Sequence, residues 1–314
     1  MASPAGQCHL TAVETMTRPG ADLFGEAGRV SAAVDALFER LLANRDDGRD
    51  ELCAAMRHAA VGGGKRLRPL LTVAAARLFG IDEERALRAG TAVEAIHVYS
   101  LIHDDLPCMD DDDMRRGKPT VHRAYSEATA VLAGDCLHAL AFELLGDQAT
   151  HEDPFVRSEL VLELARASGV DGMAGGQMMD LMAEGQQLDL AAITRLQQLK
   201  TGALIEYAVE AAVIMARLPQ EARTPYRGYA RNIGLAFQIA DDLIDHAGHE
   251  DAAGKRVGKD AEAGKATFVS LFGEERARAQ ADLLVDQAIE HLHQHGEEAD
   301  LLRAVARYAV ERDR

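Results

Sequence analysis

Two clusters of aspartates, whose first members are 137 residues apart, constrain this sequence more than any other feature. The carboxylates are those of Asp104, Asp105, Asp110, Asp241, Asp242 and Asp245. Carboxylates packed this closely repel one another, and burying them without compensation is costly. A fold that brings the clusters together therefore needs cations between them. Mg²⁺ fits best, because it takes a few carboxylates and completes its shell with water and phosphate oxygens. Two such clusters facing each other would form a clamp for a diphosphate.

The distribution of apolar residues predicts helices and no sheet. The chain of 314 residues is 47% hydrophobic but only 4% aromatic, without tryptophan, so alanine and leucine must provide most of the packing. That bias favours helix over strand. Apolar residues recur at a spacing of three to four over 28–47, 50–60, 69–78, 83–106, 122–147, 154–169, 189–216, 227–246, 274–295 and 297–312. We expect one all-α domain over residues 26–314, preceded by a loosely ordered N-terminal segment, residues 1–25.

The charge and the cysteines argue against several classes of protein. Fifty-one acidic and 34 basic residues give a net charge of −17, which argues against nucleic-acid binding and against an anionic membrane surface. The four cysteines, Cys8, Cys53, Cys108 and Cys136, show no CxxC pair and no disulfide-like spacing, as is typical of a reducing cytosol. The N-terminus has no basic segment followed by an apolar one, and no stretch reaches 18 apolar residues. We therefore expect a cytoplasmic protein without membrane insertion.

Helical spacing places the second cluster on one face of a helix. Gln238, Asp241 and Asp245 are spaced i, i+3 and i+7 and so line the same side. His97 and Asp104, seven residues apart, share a face in the same way. A single cluster is equally well interpreted as a solvated acidic surface or a helix cap. Two clusters, each preceded by a strongly apolar helix, favour a shared site.

The first cluster needs a break in its helix. Asp104 and Asp110 are six residues apart, which is about 240° around a continuous helix at roughly 100° per residue, so they would point apart. Pro107 removes this problem, because Leu106 before it is disfavoured in the helical conformation. The chain is predicted to turn here and to bring Asp110 back toward Asp104.

Basic residues follow the breaks at places where an anion would need them. Three glycines at 62–64 precede Lys65, Arg66 and Arg68, just before a predicted helix. Glycines allow close backbone approach, helix N-terminal amides favour phosphate, and arginine supplies a bidentate fork. The spacing is not that of a P-loop, and a basic loop by itself is more often a solvated loop. Further cations are Arg115, Arg116, Lys200, Lys255 and Lys265.

Five motifs in order resemble those of the trans-isoprenyl diphosphate synthases. They read GGGKRLRP (62–69), HVYSLIHDDLPCMDDDDMRRGKPT (97–120), GGQMMD (175–180), KTGALI (200–205) and FQIADDLID (237–245). The resemblance covers roughly residues 30–314. The four residues between Asp105 and Asp110 resemble the bacterial farnesyl and plant-type geranylgeranyl branches of the family. The family's fold is a helical bundle around a deep central cavity, and its members are expected to be homodimers.

The resemblance assigns a role to each candidate residue. Asp104 and Asp110 would hold two Mg²⁺ and Asp241 a third, supported by Asp105, Asp242 and Asp245 in or near the first coordination shell. The isopentenyl diphosphate would be bound by Lys65, Arg68, His97 and Arg116. The allylic diphosphate would be bound by Arg115, Lys200 and Lys255, with Lys265 as a weaker candidate. Oxygen dipoles of Thr201, of Gln238 and of the Lys200 carbonyl would stabilise the allylic cation beside that diphosphate. Gln177 and Asp180 are interpreted equally well as site residues and as a buried polar pair.

The implied reaction is a Mg²⁺-dependent head-to-tail (1'-4) condensation of isopentenyl diphosphate with dimethylallyl or geranyl diphosphate, which gives (E,E)-farnesyl diphosphate. Tyr99 and Ser100, five and four residues before Asp104, would lie at the level that a growing prenyl tail must pass. In the resembling bacterial farnesyl synthases an aromatic residue at the Tyr99 position closes the cavity, which favours a C15 product. The geranylgeranyl branch makes C20 the alternative.

His138 is a departure from the family pattern, because it interrupts a stretch that is typically apolar in this family.

Two other functions are compatible with one aspartate-rich motif. A terpene cyclase also binds Mg²⁺, but cyclases normally lack a second DDxxD motif and a site like that of Lys65 and Arg68. A non-catalytic subunit of a heteromeric synthase tends to lose an aspartate motif, and both motifs are intact here. The sequence therefore favours the chain-elongating enzyme over either alternative.

Overall fold

The structure is a computed structural model that describes residues 22–183, 186, 188–247 and 267–311. Its first half contains the helices α1 (Leu23–Leu41), α2 (Asp50–Ala60), α3 (Leu67–Arg77), α4 (Glu83–Asp104), α5 (Val121–Ala124), α6 (Glu127–Gly146) and α7 (Pro154–Ser168). The second half contains α8 (Met173–Met182), α9 (Leu190–Gln197), α10 (Ala203–Met215), α11 (Thr224–Ala247), α12 (Phe268–Phe272), α13 (Glu274–Glu290) and α14 (Asp300–Glu311). Short 3₁₀ turns lie at Gln220–Arg223 and Glu297–Ala299. The predicted all-α fold is confirmed.

Local signals explain where several of the helices begin. Asp22, Asp82, Ser126 and Asp153 stand directly before α1, α4, α6 and α7, and each side chain accepts a hydrogen bond from a backbone amide in the first turn. Such caps satisfy amides that have no partner within the helix. The first helix begins at Leu23, five residues before the predicted start, and ends at Leu41 instead of at residue 47. Of the N-terminal segment that was expected to be loosely ordered, residues 1–21 lie outside the described residues.

Helix α4 is the central element of the core. It packs against α3 and α6, and Ala89, Ala92 and Ala95 are fully buried in it. Small side chains let the helices approach closely, and at Gly90 a Cβ atom would lie 2.9 Å from the Pro69 backbone. A core made mainly of alanine and leucine can therefore pack densely without tryptophan. The packing of α3 and α6 against α4 fixes the position of Asp104 at the end of α4.

A two-stranded hairpin follows the first aspartate cluster and was not predicted. The antiparallel strands β1 (Met114–Arg115) and β2 (Lys118–Pro119) pair with Arg115 opposite Lys118. Arg116 and Gly117 connect them, with φ of 52° and 74°. Positive φ at both loop residues matches the two-residue turns that fit the twist of a hairpin. The turn fixes the directions of the two arginines that lie next to the aspartates.

The predicted helix 189–216 is interrupted by a π-helical turn. Helix α9 ends at Gln197, the wider turn Gln198–Gly202 follows, and α10 begins at Ala203. Single π turns within helices are rare and frequently occur at functional sites. This turn carries Lys200 and Thr201, two of the predicted site residues.

Among the described residues, one helix is long and apolar enough to cross a membrane. This helix is α6, which has 20 residues and a mean hydropathy of 1.5. Its Ala133, Leu137 and Ala141 are fully buried in the fold, where the helix packs on α4. The apolar character of α6 therefore has an explanation in the core.

Candidate active site

The first aspartate cluster forms where α4 ends. The helix stops at Asp104, and the chain then turns so that the backbone amide of Asp110 donates to the carbonyl oxygen of Asp104 at 2.8 Å. A second amide in the turn, that of Asp111, donates to the Leu106 carbonyl at 3.2 Å. The predicted return of Asp110 toward Asp104 after Pro107 is confirmed.

The Asp104 carboxylate lies in surroundings whose positive charge does not offset the effect of burial. Burial raises its pKa to about 6, and the neighbouring acids Asp110 and Asp105 shift it in the same direction. Lys200 and Arg115 oppose the rise but do not cancel it. A carboxylate whose pKa is raised this far is one that a further cation would stabilise in its charged form.

The second carboxylate of the motif, Asp105, is already paired. It is 3% exposed, and its Oδ1 accepts a hydrogen bond from Nε of Arg115 at 2.6 Å. Nη2 of the same guanidinium lies 2.6 Å from this oxygen as an ion pair. Burial raises the pKa of Asp105, while the Arg115 guanidinium lowers it. Asp112 also lies close to Arg115, at 3.7 Å. The side chain predicted to bind the allylic diphosphate is thus held beside Asp104 by the adjacent aspartate.

The second cluster lies on the last turns of α11. Asp241 is exposed and Asp245 is half-buried, while Asp242 between them is 5% exposed. The Asp242 carboxylate accepts hydrogen bonds from the backbone amide of Phe268 at 3.0 Å and from Nε2 of Gln238 at 3.1 Å. Asp242 therefore anchors the start of α12 to α11, whereas the adjacent Asp241 is exposed.

The π-helical turn connects the two clusters. The Lys200 ammonium lies 2.8 Å from Asp180 of α8, and its charge also acts on Asp104. The adjacent Thr201 donates its hydroxyl to Oε1 of Gln238 at 3.4 Å, on the same helix as the second cluster. A Cβ atom on Gly176 would lie 2.2 Å from the Lys200 backbone nitrogen, so only glycine lets α8 pack this closely against the turn. Gly176 of the GGQMMD motif thereby allows Asp180 to approach Lys200.

A second group of cations surrounds His97 on α4. Burial lowers the pKa of His97 well below its ordinary value, and the positive charges of Arg68 and Arg116 act in the same direction. The guanidinium of Arg116 lies against the glycine loop, since a Cβ atom on Gly64 would be 2.7 Å from its central carbon. Burial lowers the pKa of Arg68, and the negative charge of Asp241 raises it to a smaller extent. The structure thus places Arg68, His97 and Arg116 together, and Lys65 is exposed on the same loop.

Arg66 belongs to the core and not to the anion site. It is 2% exposed and pairs with Glu94 at 2.9 Å and with Asp35 at 2.7 Å, and it also bonds to the carbonyl of Ala60. Its backbone has a φ of 46° immediately before α3. Of the three basic residues after the glycines, Arg66 is therefore held within the core. The pairing of Arg66 with acids 28 and 31 residues away could not be read from the local pattern.

The predicted chain-length residues lie one turn and more before Asp104. Tyr99 is half-buried, and its pKa is raised by burial and by the nearby charge of Asp104. Ser100 is also half-buried, and its hydroxyl donates to the His97 carbonyl at 2.9 Å. Tyr99 therefore presents a large ring near the carboxylate, whereas the Ser100 hydroxyl is satisfied within the helix.

Five further polar residues bear on the site. Lys255 and Lys265 lie outside the described residues. Asp180, which the sequence does not assign to the site or to the core, forms an ion pair with Lys200. Gln177, its proposed partner, has a buried Nε2 without a hydrogen bond. Glu94 was missed, although it lies three residues before His97, and its carboxylate is buried among the arginines.

The oxygen donors present suit Mg²⁺, which does not need all of its ligands from the protein. Among the described residues, no three histidine, cysteine or acidic side chains converge tightly enough to form a complete metal site by themselves. Mg²⁺ usually binds through one or two carboxylates and takes its other ligands from water and phosphate. The carboxylates of Asp104, whose pKa is raised, and of the exposed Asp110 and Asp241 would suit binding of this kind.

An all-α fold with two carboxylate clusters and surrounding cations defines a Mg²⁺-dependent enzyme of the isoprenyl synthase class. The family model described as polyprenyl synthetase matches residues 49–308, and the chain therefore belongs to this family of prenyltransferases. The chain is 45% identical over 264 residues to farnesyl diphosphate synthase of Escherichia coli (strain K12), covering 82% of this chain and 88% of that one. It is 46% identical over 244 residues to geranylgeranyl pyrophosphate synthase 11, chloroplastic, of Arabidopsis thaliana, covering 76% of this chain and 68% of that one.

Solved structures agree with this assignment. The crystal structure of an FPP/GFPP synthase from Zymomonas mobilis, in its apo form, superposes with a TM-score of 0.85 at 56% sequence identity. The alignment covers 93% of this chain and 99% of that chain. Trans-prenyl chain elongation is the activity common to these relatives, whereas the named products differ among them.

Proposed function

We propose that this chain condenses isopentenyl diphosphate head to tail with dimethylallyl and then geranyl diphosphate, and that its product is (E,E)-farnesyl diphosphate. The observation that carries this proposal is the division of the cations into two groups. Lys200 and Arg115 act on Asp104, whereas Arg68 and Arg116 are the cations that act most strongly on His97, where Arg115 contributes less. Two groups of cations suit two diphosphates bound at the same time. A terpene cyclase binds a single diphosphate and therefore does not require the cations around His97.

The metal would be held by the exposed side of the two clusters. Asp104 and Asp110 suit two Mg²⁺ and Asp241 a third, with Asp245 one turn further along α11. Bound there, Mg²⁺ supplies Lewis-acid stabilisation of the departing diphosphate. Asp105 and Asp242 contribute by orientation, since the first holds Arg115 and the second fixes α12.

The protein's own residues then favour ionisation of the allylic C–O bond. Lys200 and Arg115 present positive charge to the diphosphate as negative charge develops on it, which is the most effective use of fixed charges in catalysis. The Thr201 hydroxyl and the Gln238 amide lie beside Lys200 and offer oxygen dipoles to the allylic cation. The double bond of isopentenyl diphosphate, positioned by Arg68, His97 and Arg116, attacks this cation. The departing diphosphate accepts the proton that is lost, so no separate basic side chain is required.

The size of the Tyr99 side chain supports a C15 product. Its ring lies near Asp104 and would meet a prenyl tail after a few isoprene units. A C20 product is the alternative, because geranylgeranyl synthases are as similar to this chain as farnesyl synthases are.

A single assay tests the function and the product together. The purified protein is incubated with Mg²⁺, isopentenyl diphosphate and either dimethylallyl, geranyl or farnesyl diphosphate, and the products are separated by chain length. We expect C15 from the first two primers and little extension of the third. Mainly C20 product from all three primers would replace the farnesyl assignment with the geranylgeranyl one. Cyclic hydrocarbons, or no incorporation of isopentenyl diphosphate, would overturn chain elongation itself.

We also propose a homodimer located in the cytoplasm. The outward side of α6 carries two large apolar side chains, Val131 and Leu132, exposed by 42% and 53%. A second copy of the chain that packs on this helix would cover these side chains. Sedimentation of the wild-type protein and of a Leu132→Glu variant tests this, since the variant is expected to shift toward the monomer.

A further inference from the structure

Four ring-bearing residues link α4 to α6 next to the first aspartate cluster. The rings of Tyr99 and His138 meet edge to face with centroids 5.1 Å apart, and those of His138 and Phe142 do so at 5.0 Å. Tyr99 also meets His103 at 5.7 Å. We call these four residues the ring layer. His138, the residue that interrupts an otherwise apolar stretch of the sequence, lies at its centre.

One support of the Tyr99 ring is rigidly fixed. Nε2 of His103 lies 3.1 Å from the carbonyl oxygen of Val131, and a Cβ atom on Gly134 would lie 2.1 Å from the same nitrogen. His103 therefore fits into a gap that only glycine leaves in α6. Because His103 precedes Asp104 directly, any change to it would also disturb the metal-binding carboxylate.

The other support, His138, can be changed without touching the aspartates. It lies in the middle of α6, between Gly134 and Phe142, and it is half-buried. Burial lowers the pKa of its imidazole, and nearby His103 does the same, whereas Asp135 opposes the shift. The imidazole is therefore neutral at pH 7 and packs against Tyr99 as an uncharged ring. Edge-to-face pairs of this kind hold rings in fixed relative orientations.

We propose that His138 determines product chain length by positioning the ring of Tyr99. This inference rests on the chain-elongating function proposed above. A prenyl tail that grows from a diphosphate at Asp104 passes the level of Tyr99, and the Tyr99 ring stops it only if the ring cannot move aside. The His138 imidazole occupies the space between Tyr99 and Phe142 into which the ring would move. Removing the imidazole opens that space and admits one further isoprene unit.

The test compares His138→Ala with His138→Phe in the full-length protein. Each variant is assayed with Mg²⁺, dimethylallyl and isopentenyl diphosphates, and the products are sorted by chain length. For His138→Ala we expect at least a threefold rise in the fraction one isoprene unit longer than the main wild-type product. The kcat/KM for dimethylallyl diphosphate should stay within twofold of wild type. His138→Phe restores a ring and should restore the wild-type distribution.

His293→Ala is the matched control. This histidine is exposed beyond the end of α13, and its ring contacts the Glu290 carbonyl at 2.9 Å. Its substitution should leave the product distribution unchanged. If His138→Ala lowers solubility, His138→Gln keeps most of the volume without a ring and should show the same direction of change.

Two results would overturn the inference. The first is a folded His138→Ala variant with the wild-type product distribution, and the second is a His138→Phe variant with products as long as those of His138→Ala. Absence of any prenyl product from the wild-type protein is a different outcome, because it would overturn the proposed function itself.

Discussion

The ammonium group of Lys200 lies 2.8 Å from the carboxylate of Asp180, and this ion pair joins the π-helical turn to α8. Both side chains are largely shielded from water, with 31% and 15% exposed, so their attraction is less screened than that of a surface pair. The pair orients Lys200 before a diphosphate arrives. Because Lys200 also acts on Asp104, its orientation affects the leaving-group side of the site.

Asp180→Asn should therefore weaken use of the allylic substrate. A hydrogen bond to a charged group contributes about 1.5–3 kcal/mol, so we expect kcat/KM for dimethylallyl diphosphate to fall by about 10-fold or more. The KM for isopentenyl diphosphate should not change, because that diphosphate is assigned to other cations. Asp300→Asn, which removes an ion pair with Arg303 on α14, is the control and should be neutral. If use of both substrates were weakened equally, Asp180 would not act on the allylic substrate through Lys200.

Removing either of the two carboxylates proposed to bind metal should abolish most turnover and leave the protein folded. Asp104→Ala and Asp241→Ala each delete a proposed Mg²⁺ ligand, and we expect a loss of at least about 100-fold in kcat, as for other groups that stabilise charge in the transition state. Thermal unfolding without Mg²⁺ should show no destabilisation of Asp104→Ala, since burial disfavours the charged Asp104. Asp113→Ala, an exposed acid of the same run, is the control. Near-wild-type rates in both variants would exclude the proposed metal positions.

The turn of the first cluster could be predicted from the sequence, but the partners of its residues could not. Pro107 is a local signal, and its consequence, the return of Asp110 to Asp104, depends only on neighbouring residues. The pairing of Arg115 with Asp105 depends on the hairpin turn at Arg116 and Gly117, which has no pattern of alternating apolar residues. Short hairpins of this kind are stabilised by their surroundings.

Contacts between distant segments explain the other differences. Arg66 resembled a ligand-binding cation because its neighbours in sequence are basic, and only the approach of Glu94 and Asp35 identifies it as part of the core. Asp242 has the same local pattern as Asp241, but its carboxylate is directed to the Phe268 amide 26 residues away. Periodicity gives the face of a helix that a residue occupies, whereas the packed neighbours decide whether that face is buried.

The two diphosphate sites should separate kinetically. Lys65→Ala or Arg68→Ala removes a proposed charge-assisted contact to isopentenyl diphosphate, so we expect its KM to rise by about 10-fold or more while the KM of the allylic substrate changes little. Initial rates with each substrate varied at a saturating level of the other measure both constants. Arg45→Ala, an exposed cation between α1 and α2, serves as the control. A rise confined to the allylic KM would reverse the assignment of the sites.

His97 should make the protein less stable in mild acid. In the unfolded chain its imidazole binds a proton near pH 6.5, whereas burial and the surrounding arginines hold the pKa of the folded protein well below that value. As the pH falls below about 6.5, the unfolded state therefore binds a proton that the folded state does not, and the free energy of unfolding decreases. His97→Gln removes this difference.

Urea unfolding of wild type and His97→Gln at pH 7.5 and 5.5, without Mg²⁺ or substrate, measures the effect. The wild-type protein should lose more stability between the two pH values than the variant. His293→Gln provides the comparison for an exposed histidine. If His97→Gln and wild type lost equal stability, the imidazole would not be held neutral by its surroundings.

Tyr99→Ala should lengthen the product. Tyr99 is five residues before Asp104, about 7.5 Å along the helix, and its half-buried ring feels the charge of the Asp104 carboxylate. Truncation to alanine removes the ring from the path of the tail, so the main product should shift from C15 to C20 or longer. Incorporation of the first isopentenyl unit should be unaffected, because the aspartates and cations remain in place. Tyr99→Phe is the control, since it keeps the ring and should keep the wild-type product. The products are separated by chain length in chromatography. An unchanged distribution, or a wild-type product that is already C20, would show that another residue ends the cavity.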